Sequence, residues 1–263
     1  MSNLYTNLSD VYEAMYQSFI DYEAEYLFYS DILLSYNCKS VVEIGCGSGN
    51  LASKFANNGF EYFGMDLSEE MLALSKTNNP NAVFLKEDMR NFNLQKETDA
   101  FIITGRTISY LFTNSDVIET FTSINNNLKK QGIVSFDCIN ANIFIPQIDS
   151  TIKVIHSASF KDKYYQRDSI WKVNLTHGFC FDWASIYYEK TAQEELVEIG
   201  KDNSTIRAFT KDEIVLFLTL TGFNVLEIIE RPSYAFDTFV IVAQKIINLK
   251  KVVPWPCTTM QTP

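Results

Sequence analysis

Three glycines at alternate positions, Gly45, Gly47 and Gly49, stand directly behind the apolar run Val41-Val42-Glu43-Ile44 and directly ahead of a helical pattern, Leu51, Ala52, Phe55 and Ala56. A turn without Cβ atoms tolerates positive φ and lets the backbone lie close against a flat ligand. The helix behind it aims unpaired N–H groups over the turn. A second apolar segment, Glu61-Tyr62-Phe63-Gly64-Met65-Asp66, ends in a carboxylate. Where strand ends share one edge of a sheet, such an acid lies beside the glycine turn and accepts both hydroxyls of a ribose. These residue types hold a nucleoside; they do not make a nucleophile. His156 and His177 are the two histidines of the chain, and no triad or ligand cluster accompanies them. Five scattered cysteines, Cys38, Cys46, Cys138, Cys180 and Cys257, show no C-x-x-C spacing, so neither a disulfide framework nor a zinc site is indicated.

Two ligands suit such a turn. A dinucleotide asks for G-x-G-x-x-G, but the third position of that pattern is Asn50. The spacing G-x-G-x-G favours S-adenosylmethionine instead. At this point the chain resembles the class I S-adenosylmethionine-dependent methyltransferases, whose first motif is an acid followed by G-x-G-x-G, matched by Glu43, Gly45, Gly47 and Gly49, with Cys46 inside the turn.

The resemblance implies further residues. Asp10-Val11-Tyr12-Glu13-Ala14-Met15-Tyr16 looks like the Y-D-x-x-Y segment of small-molecule methyltransferases, in which an N-terminal helix folds over the cofactor, so Tyr16 and Tyr22 are lid candidates. Lys86-Glu87-Asp88-Met89-Arg90-Asn91-Phe92 is similar to the segment that holds adenine: Asp88 would accept the exocyclic amine and the Met89 N–H would meet a ring nitrogen. That phrase is closest to methyltransferases of nucleotide-linked amino sugars. Leu67 and Met71, just behind Asp66, and Gly105 and Arg106, in the loop leaving the fourth strand, complete the expected cofactor set. Phe136-Asp137-x-x-Asn140 resembles the loop that faces the acceptor in related enzymes.

The elements that must position these residues follow from periodicity. Residues 9 to 34 carry apolar and aromatic side chains at helical spacing and read as two helices ahead of the first strand. Five strands with intervening helices follow, including Val83-Phe84-Leu85, Asp99 to Thr104 and a fifth strand starting at Gly132. A helix with Val117, Phe121, Ile124 and Leu128 on one face is capped near Asn114 or Ser115. From about 151 to 207 the period becomes two, with Trp171, Val173 and Leu175 on one face and Phe179, Phe181, Trp183 and Tyr187 on the next, around His177-Gly178. This is an inserted antiparallel hairpin set whose aromatic face needs covering by the main domain or a second subunit. Thr210-Lys211-Asp212-Glu213 is a capping box opening a helix closed by Gly222. Two strands, Phe223 to Glu230 and Ala235 to Gln244, then resemble the last pair of a methyltransferase sheet, the final one antiparallel.

The expected fold is therefore an α/β, Rossmann-like seven-stranded methyltransferase sheet with helices on both faces. Residues 1–145 and 208–245 form the cofactor domain, 146–207 a β-rich insertion for substrate, lid or oligomerisation, and 246–263 a loose tail. A hydrophobic share of 46% and a charged share of 21% are those of a globular chain and exclude a disordered one. A net charge of −10 argues against a nucleic-acid substrate. No apolar stretch has the length needed to cross a bilayer and the N-terminus has no signal core, so the expected partner is a small molecule, the expected location the cytosol, and the expected state a monomer or homodimer.

Transfer from a sulfonium needs in-line placement rather than covalent catalysis. Tyr16 or Tyr110 would favour the positive sulfur through their ring faces. A base for the acceptor is open among His156, His177, Asp137 and a tyrosine. Tyr16, Tyr110 and His177 are the catalytic candidates. The reading leads to transfer onto a nitrogen or oxygen of a small molecule, an amino sugar or other amine. Two readings compete: a methyltransferase-fold protein that binds S-adenosylmethionine without turnover, and an NAD(P)-dependent oxidoreductase, whose sheet usually lacks the reversed last strand.

Overall fold

The computed structural model describes residues 3–5, 8–233 and 236–246. The tail expected at 246–263, with Cys257, lies outside the described residues from 247 onward. Two helices, α1 (Ser9–Phe19) and α2 (Tyr22–Ser35), lead into β1 (Ser40–Ile44). Then come α3 (Ala52–Asn57), β2 (Glu61–Asp66), α4 (Glu69–Asn78), β3 (Val83–Lys86), β4 (Thr98–Ile103), α5 (Asn114–Asn127), β5 (Leu128–Ile139) and the short α6 (Ala141–Phe144). An antiparallel run follows: β6 (Val154–Phe160), β7 (Lys163–Asn174), β8 (Phe179–Lys190) and β9 (Leu196–Ala208). The chain closes with α7 (Lys211–Leu220), β10 (Phe223–Pro232) and β11 (Asp237–Lys245).

The main sheet has seven strands in the order β10-β11-β5-β4-β1-β2-β3. β1 pairs in parallel with both β2 and β4, and every residue of Ser-Val-Val-Glu-Ile is buried, as a near-continuous apolar run requires at the centre of a two-sided sheet. β11 runs antiparallel to both neighbours, the reversed last strand anticipated from the sequence. Two apolar layers flank this sheet, one holding Phe101, Phe121, Phe136 and Phe239, the other Tyr29, Phe55, Ala100 and Val240.

Three local expectations shift. The cap of α5 is Thr113, not Asn114 or Ser115: its Oγ1 accepts the Asp116 N–H at 3.1 Å, and Asp116 Oδ2 accepts the Thr113 N–H in return. β5 begins at Leu128, ahead of Gly132, because its pairing with β4 accommodates an irregularity between Thr98 and Ala100. Thr210 does cap α7, but the Glu213 carboxylate turns away from it to the guanidinium of Arg207.

The 154–208 region forms its own sheet, β6-β7-β8-β9. Its aromatic face is covered from within the chain. Phe181 packs with Phe144, Phe236 and Ile139, while Tyr165 and Tyr187 pack with Val11, Ala14 and Met15 of α1. Val173, Leu175 and Phe179 lie beyond that cover and stay exposed. Arg207 of β9, fully buried, fastens this sheet to the main layers. Its guanidinium donates to the Phe112 carbonyl (3.0 Å), Asn114 Oδ1 (2.7 Å) and Glu213 Oε1 (2.5 Å), and lies over the Phe209 and Phe217 rings. None of the described helices is long and apolar enough to cross a membrane.

Candidate active site

The carboxyl ends of β1, β2, β4 and β5 open on a cavity of about 740 Å³, the crevice position expected for an open α/β sheet. Its floor is the glycine turn. Gly45 adopts φ +72° with its N–H on the Met65 carbonyl (2.7 Å), and a Cβ there would meet Thr107 Cγ2 at 2.4 Å. Gly47 adopts φ +53°, and a Cβ would stand 3.2 Å from the Tyr12 hydroxyl, filling the space over the turn. Both positions thus need glycine for conformation and for room.

Asp66 ends β2 beside this turn. Its Oδ2 accepts the Gly47 N–H at 2.9 Å and its Oδ1 the Ser68 N–H at 2.8 Å, so the carboxylate is fixed in direction while each oxygen keeps a lone pair for the cavity. Burial pushes its pKa up, opposed by those N–H groups. Ser68 also caps α4, accepting the Met71 N–H and donating to the Tyr5 carbonyl (2.8 Å). Glu43 lies deeper, buried on β1, with Oε2 accepting from Tyr62 (2.5 Å) and Oε1 from Thr104 (3.0 Å). Desolvation pushes its pKa up to about 7 despite these bonds.

Behind β3, Asp88 and Met89 line the cavity. Arg90 grips Asp88 through Nε (3.0 Å) and Nη2 (2.6 Å) and reaches Asp116 (3.0 Å). That guanidinium holds the Asp88 carboxyl below its usual range, which keeps it an acceptor.

The opposite wall is aromatic. Tyr12 stacks on Tyr16 at 4.3 Å, Tyr5 meets Tyr12 and Tyr110 edge-on, and the Tyr5 and Tyr110 hydroxyls are 2.7 Å apart. Gly105 and Arg106 are both left-handed (φ +63° and +62°), and this turns the Arg106 N–H onto Asp137 Oδ1 at 2.8 Å. Burial pushes Asp137 up, against the pull of Arg106. The Arg106 side chain lies over Phe236 and near Ser233.

Of the residues expected from the sequence, Tyr16, Tyr22, Glu43, Gly45, Cys46, Gly47, Asp66, Leu67, Asp88, Met89, Gly105, Arg106, Tyr110 and Asp137 all line this one cavity. Gly49 and Met71 do not: Gly49 (φ +80°) turns toward Asn79 and Ser75, and Met71 is wholly buried in the first turn of α4. His177 sits exposed in the β7–β8 turn, away from the lining, because the hairpin it closes points out of the cover. His156 is also outside the lining, against Phe19, with its pKa lowered by burial and by Arg167. Sequence reasoning missed Tyr5, Glu25, Asn203, Ser204, Thr205, Arg231 and Thr238. Their approach depends on how the N-terminal turn Asn3–Tyr5, α2, β9, β10 and β11 pack, and no local motif marks it.

The residues fit S-adenosylmethionine. The bare turn, the fixed Asp66 carboxylate, Asp88 and the aromatic wall share one cavity, and Gly47 keeps open the space that a Cβ would occupy. Comparison with known proteins agrees. Residues 41–132 match the family model described as a methyltransferase domain. The chain is 37% identical over 117 residues, 42% of its length, to the Bacillus subtilis protein named "Putative methyltransferase YqeM". It is 28% identical over 226 residues, 79% of its length, to "Putative methyltransferase GWCH70_2453" of Geobacillus sp.. The match spans about half (47%) of the first relative and 85% of the second. Among solved structures, CalS10, an amino pentose methyltransferase from Micromonospora echinaspora in complex with S-adenosylmethionine, superposes with a TM-score of 0.74 at 20% identity, covering 89% of this chain and 96% of that one. Residues 41–132 thus match a methyltransferase domain, set in a fold shared with a solved S-adenosylmethionine-bound methyltransferase.

Proposed function

We propose that the protein transfers a methyl group from S-adenosylmethionine to a nitrogen or oxygen of a small molecule. The observation that carries this reading is the Asp66 carboxylate, held by the Gly47 and Ser68 N–H groups at the edge of the bare glycine turn. When bound, the donor supplies an electrophilic methyl on a positive sulfur, so the protein has no nucleophile to build.

What the chain supplies is placement. Asp66 accepts the ribose hydroxyls, and Asp88 with the Met89 N–H reads the adenine edge. The tyrosine wall of Tyr12, Tyr16 and Tyr110 surrounds the donor's positive centre with ring faces and keeps bulk water off. Holding two reactants in line in such an enclosure is worth about 7–11 kcal/mol of barrier. Asn203, Ser204 and Thr205 of β9 close the far side, so the second sheet forms part of the acceptor wall. Domain roles follow: the seven-stranded sheet binds the donor, and the four-stranded sheet, with α1 packed on it, shapes the acceptor chamber. The likeness to an amino pentose methyltransferase supports an amine as acceptor.

The test is S-adenosylhomocysteine binding by calorimetry, followed by its release from S-adenosylmethionine across a panel of amines and phenols. Binding with release confirms transfer. Binding without release over the whole panel supports the non-catalytic reading, and a melting temperature raised by NADPH but not by S-adenosylhomocysteine refutes both.

A further inference from the structure

The far end of the cavity has a charge pattern that narrows the acceptor, granted the methyl transfer proposed above. Among the described residues, eight carboxylates line the whole chamber (Asp21, Glu25, Glu43, Asp66, Glu87, Asp88, Asp116 and Asp137) against three guanidiniums, and no lysine or histidine does. Each guanidinium is already engaged. Arg90 holds Asp88 and Asp116; Arg231 binds Glu25 at 2.9 Å and lies over Phe28; Arg106 lies over Phe236 beside Ser233 and Asp137. The N-terminus of α2 also borders the chamber and would otherwise be an anion site. Asp21 occupies it, taking the Glu23 and Ala24 N–H groups at 3.0 Å each. A phosphate entering here meets no free positive group and several carboxylates.

Asp137 is the counterpart. It is 8% exposed, it lines the cavity, and its Oδ1 is committed to the Arg106 N–H. Besides the Arg106 N–H only its own backbone N–H donates to the carboxyl among the described residues, so no side chain does, and the buried Tyr29 hydroxyl, which feels its charge, has no hydrogen-bond partner among them. A buried, oriented carboxylate that takes no side-chain donor and lines a chamber walled by tyrosines is complementary to an ammonium or amine N–H. We propose that the methyl acceptor is an amine carrying no phosphate, held with its nitrogen on the Asp137 carboxylate.

The step balances as follows. The bound ammonium gives one proton to Asp137 Oδ2, breaking N–H and forming O–H. The nitrogen lone pair then forms the N–C bond while the C–S electron pair passes to sulfur, which leaves as a neutral thioether. The product is a methylated ammonium, and Asp137 returns its proton to solvent.

Calorimetry on protein saturated with S-adenosylhomocysteine tests this without turnover. The probes are a panel of phosphate-free amines that includes 3-amino-3-deoxyglucose, then its dTDP-linked form, and dTDP alone. At least one phosphate-free amine should bind, dTDP should not, and the dTDP-linked sugar should bind no more tightly than the free one. Asp137→Asn, which keeps an oxygen for the Arg106 N–H, should weaken the bound amine about 10- to 100-fold while moving the S-adenosylhomocysteine Kd less than about threefold. Binding of dTDP, tighter binding of the linked sugar, failure of every amine, or an unchanged amine Kd in Asp137→Asn overturns the proposal. The dTDP measurements stand on the parent protein alone should the variant fail to fold. Loss of S-adenosylhomocysteine binding in the parent would instead strike the donor assignment.

Discussion

Replacing Asp66 by alanine tests the donor site most directly. In the proposed donor site this carboxylate accepts both ribose hydroxyls, and its direction is set by Gly47 and Ser68. Hydrogen bonds to a charged group contribute about 1.5–3 kcal/mol each, so losing two costs about 3 kcal/mol at the low end, or about 140-fold in Kd. At a ligand concentration a hundred times the parent's Kd, binding adds about 2.7 kcal/mol to stability. The variant at that concentration is below its own Kd and gains only about 0.3 kcal/mol. With about 2–4 °C per kcal/mol for a chain of this size, the melting temperature of the parent rises about 5–11 °C and that of Asp66→Ala about 1 °C. The two Gly47 and Ser68 N–H groups left behind face the cavity and take water, and removing a buried charge alters the apo stability too. The shift on adding ligand is therefore the measure, not the absolute temperature. A ligand-induced shift in Asp66→Ala within about 2 °C of the parent's would refute the ribose assignment.

Two further outcomes are expected. Glu43 has a folded pKa of about 7 against 4.5 in an ordinary setting, raised by burial. Its neutral form is therefore the favoured one in the fold: the stabilisation is complete below about pH 4.5 and lost as pH rises through about 7, amounting to about 3 kcal/mol overall and about 1 kcal/mol between pH 6 and 8. Urea midpoints of the apo protein should fall over that interval, and Glu43→Gln should flatten the fall; parallel profiles would show that Glu43 is not the titrating group. Arg207→Met strands Glu213, Asn114 and the Phe112 carbonyl without their buried partner. Breaking such an arrangement costs about 3–5 kcal/mol, so thermal unfolding should move down by at least about 6 °C; a change under 2 °C would show that the staple between the two sheets is dispensable.

The glycine turn and the acid beside it were legible in the sequence because backbone demands encode them locally. Gly45 and Gly47 stand where φ is positive and a Cβ would collide, and Asp66 ends a strand whose neighbour carries the turn, so residue type and spacing suffice. The reversed β11 was anticipated through the resemblance of the last two strands to a methyltransferase sheet, while the number of strands and helices follows from alternating apolar runs and helical patterns. Gly49 shares the motif without lining the cavity, since its conformation serves the contact of the turn with Asn79 and Ser75. His177 drew attention by chemistry alone, and chemistry without a position is uninformative in an exposed turn. The acceptor half was illegible for a different reason. Tyr5, Glu25, Ser204, Arg231 and Thr238 are distant in sequence and meet at the chamber through tertiary packing: Glu25 of α2 pairs with Arg231 of β10, Thr238 sits beside Arg231 on β11, and Ser204 arrives on the second sheet. Their place in the chamber is a property of tertiary packing, which no window of the sequence contains. Function divides along the same line. A chain can hold the turn and the ribose acid fixed, and so keep its donor, while the docked sheet changes which polar groups meet the acceptor. The charge of that second half, more than the motifs of the first, therefore decides what this protein methylates.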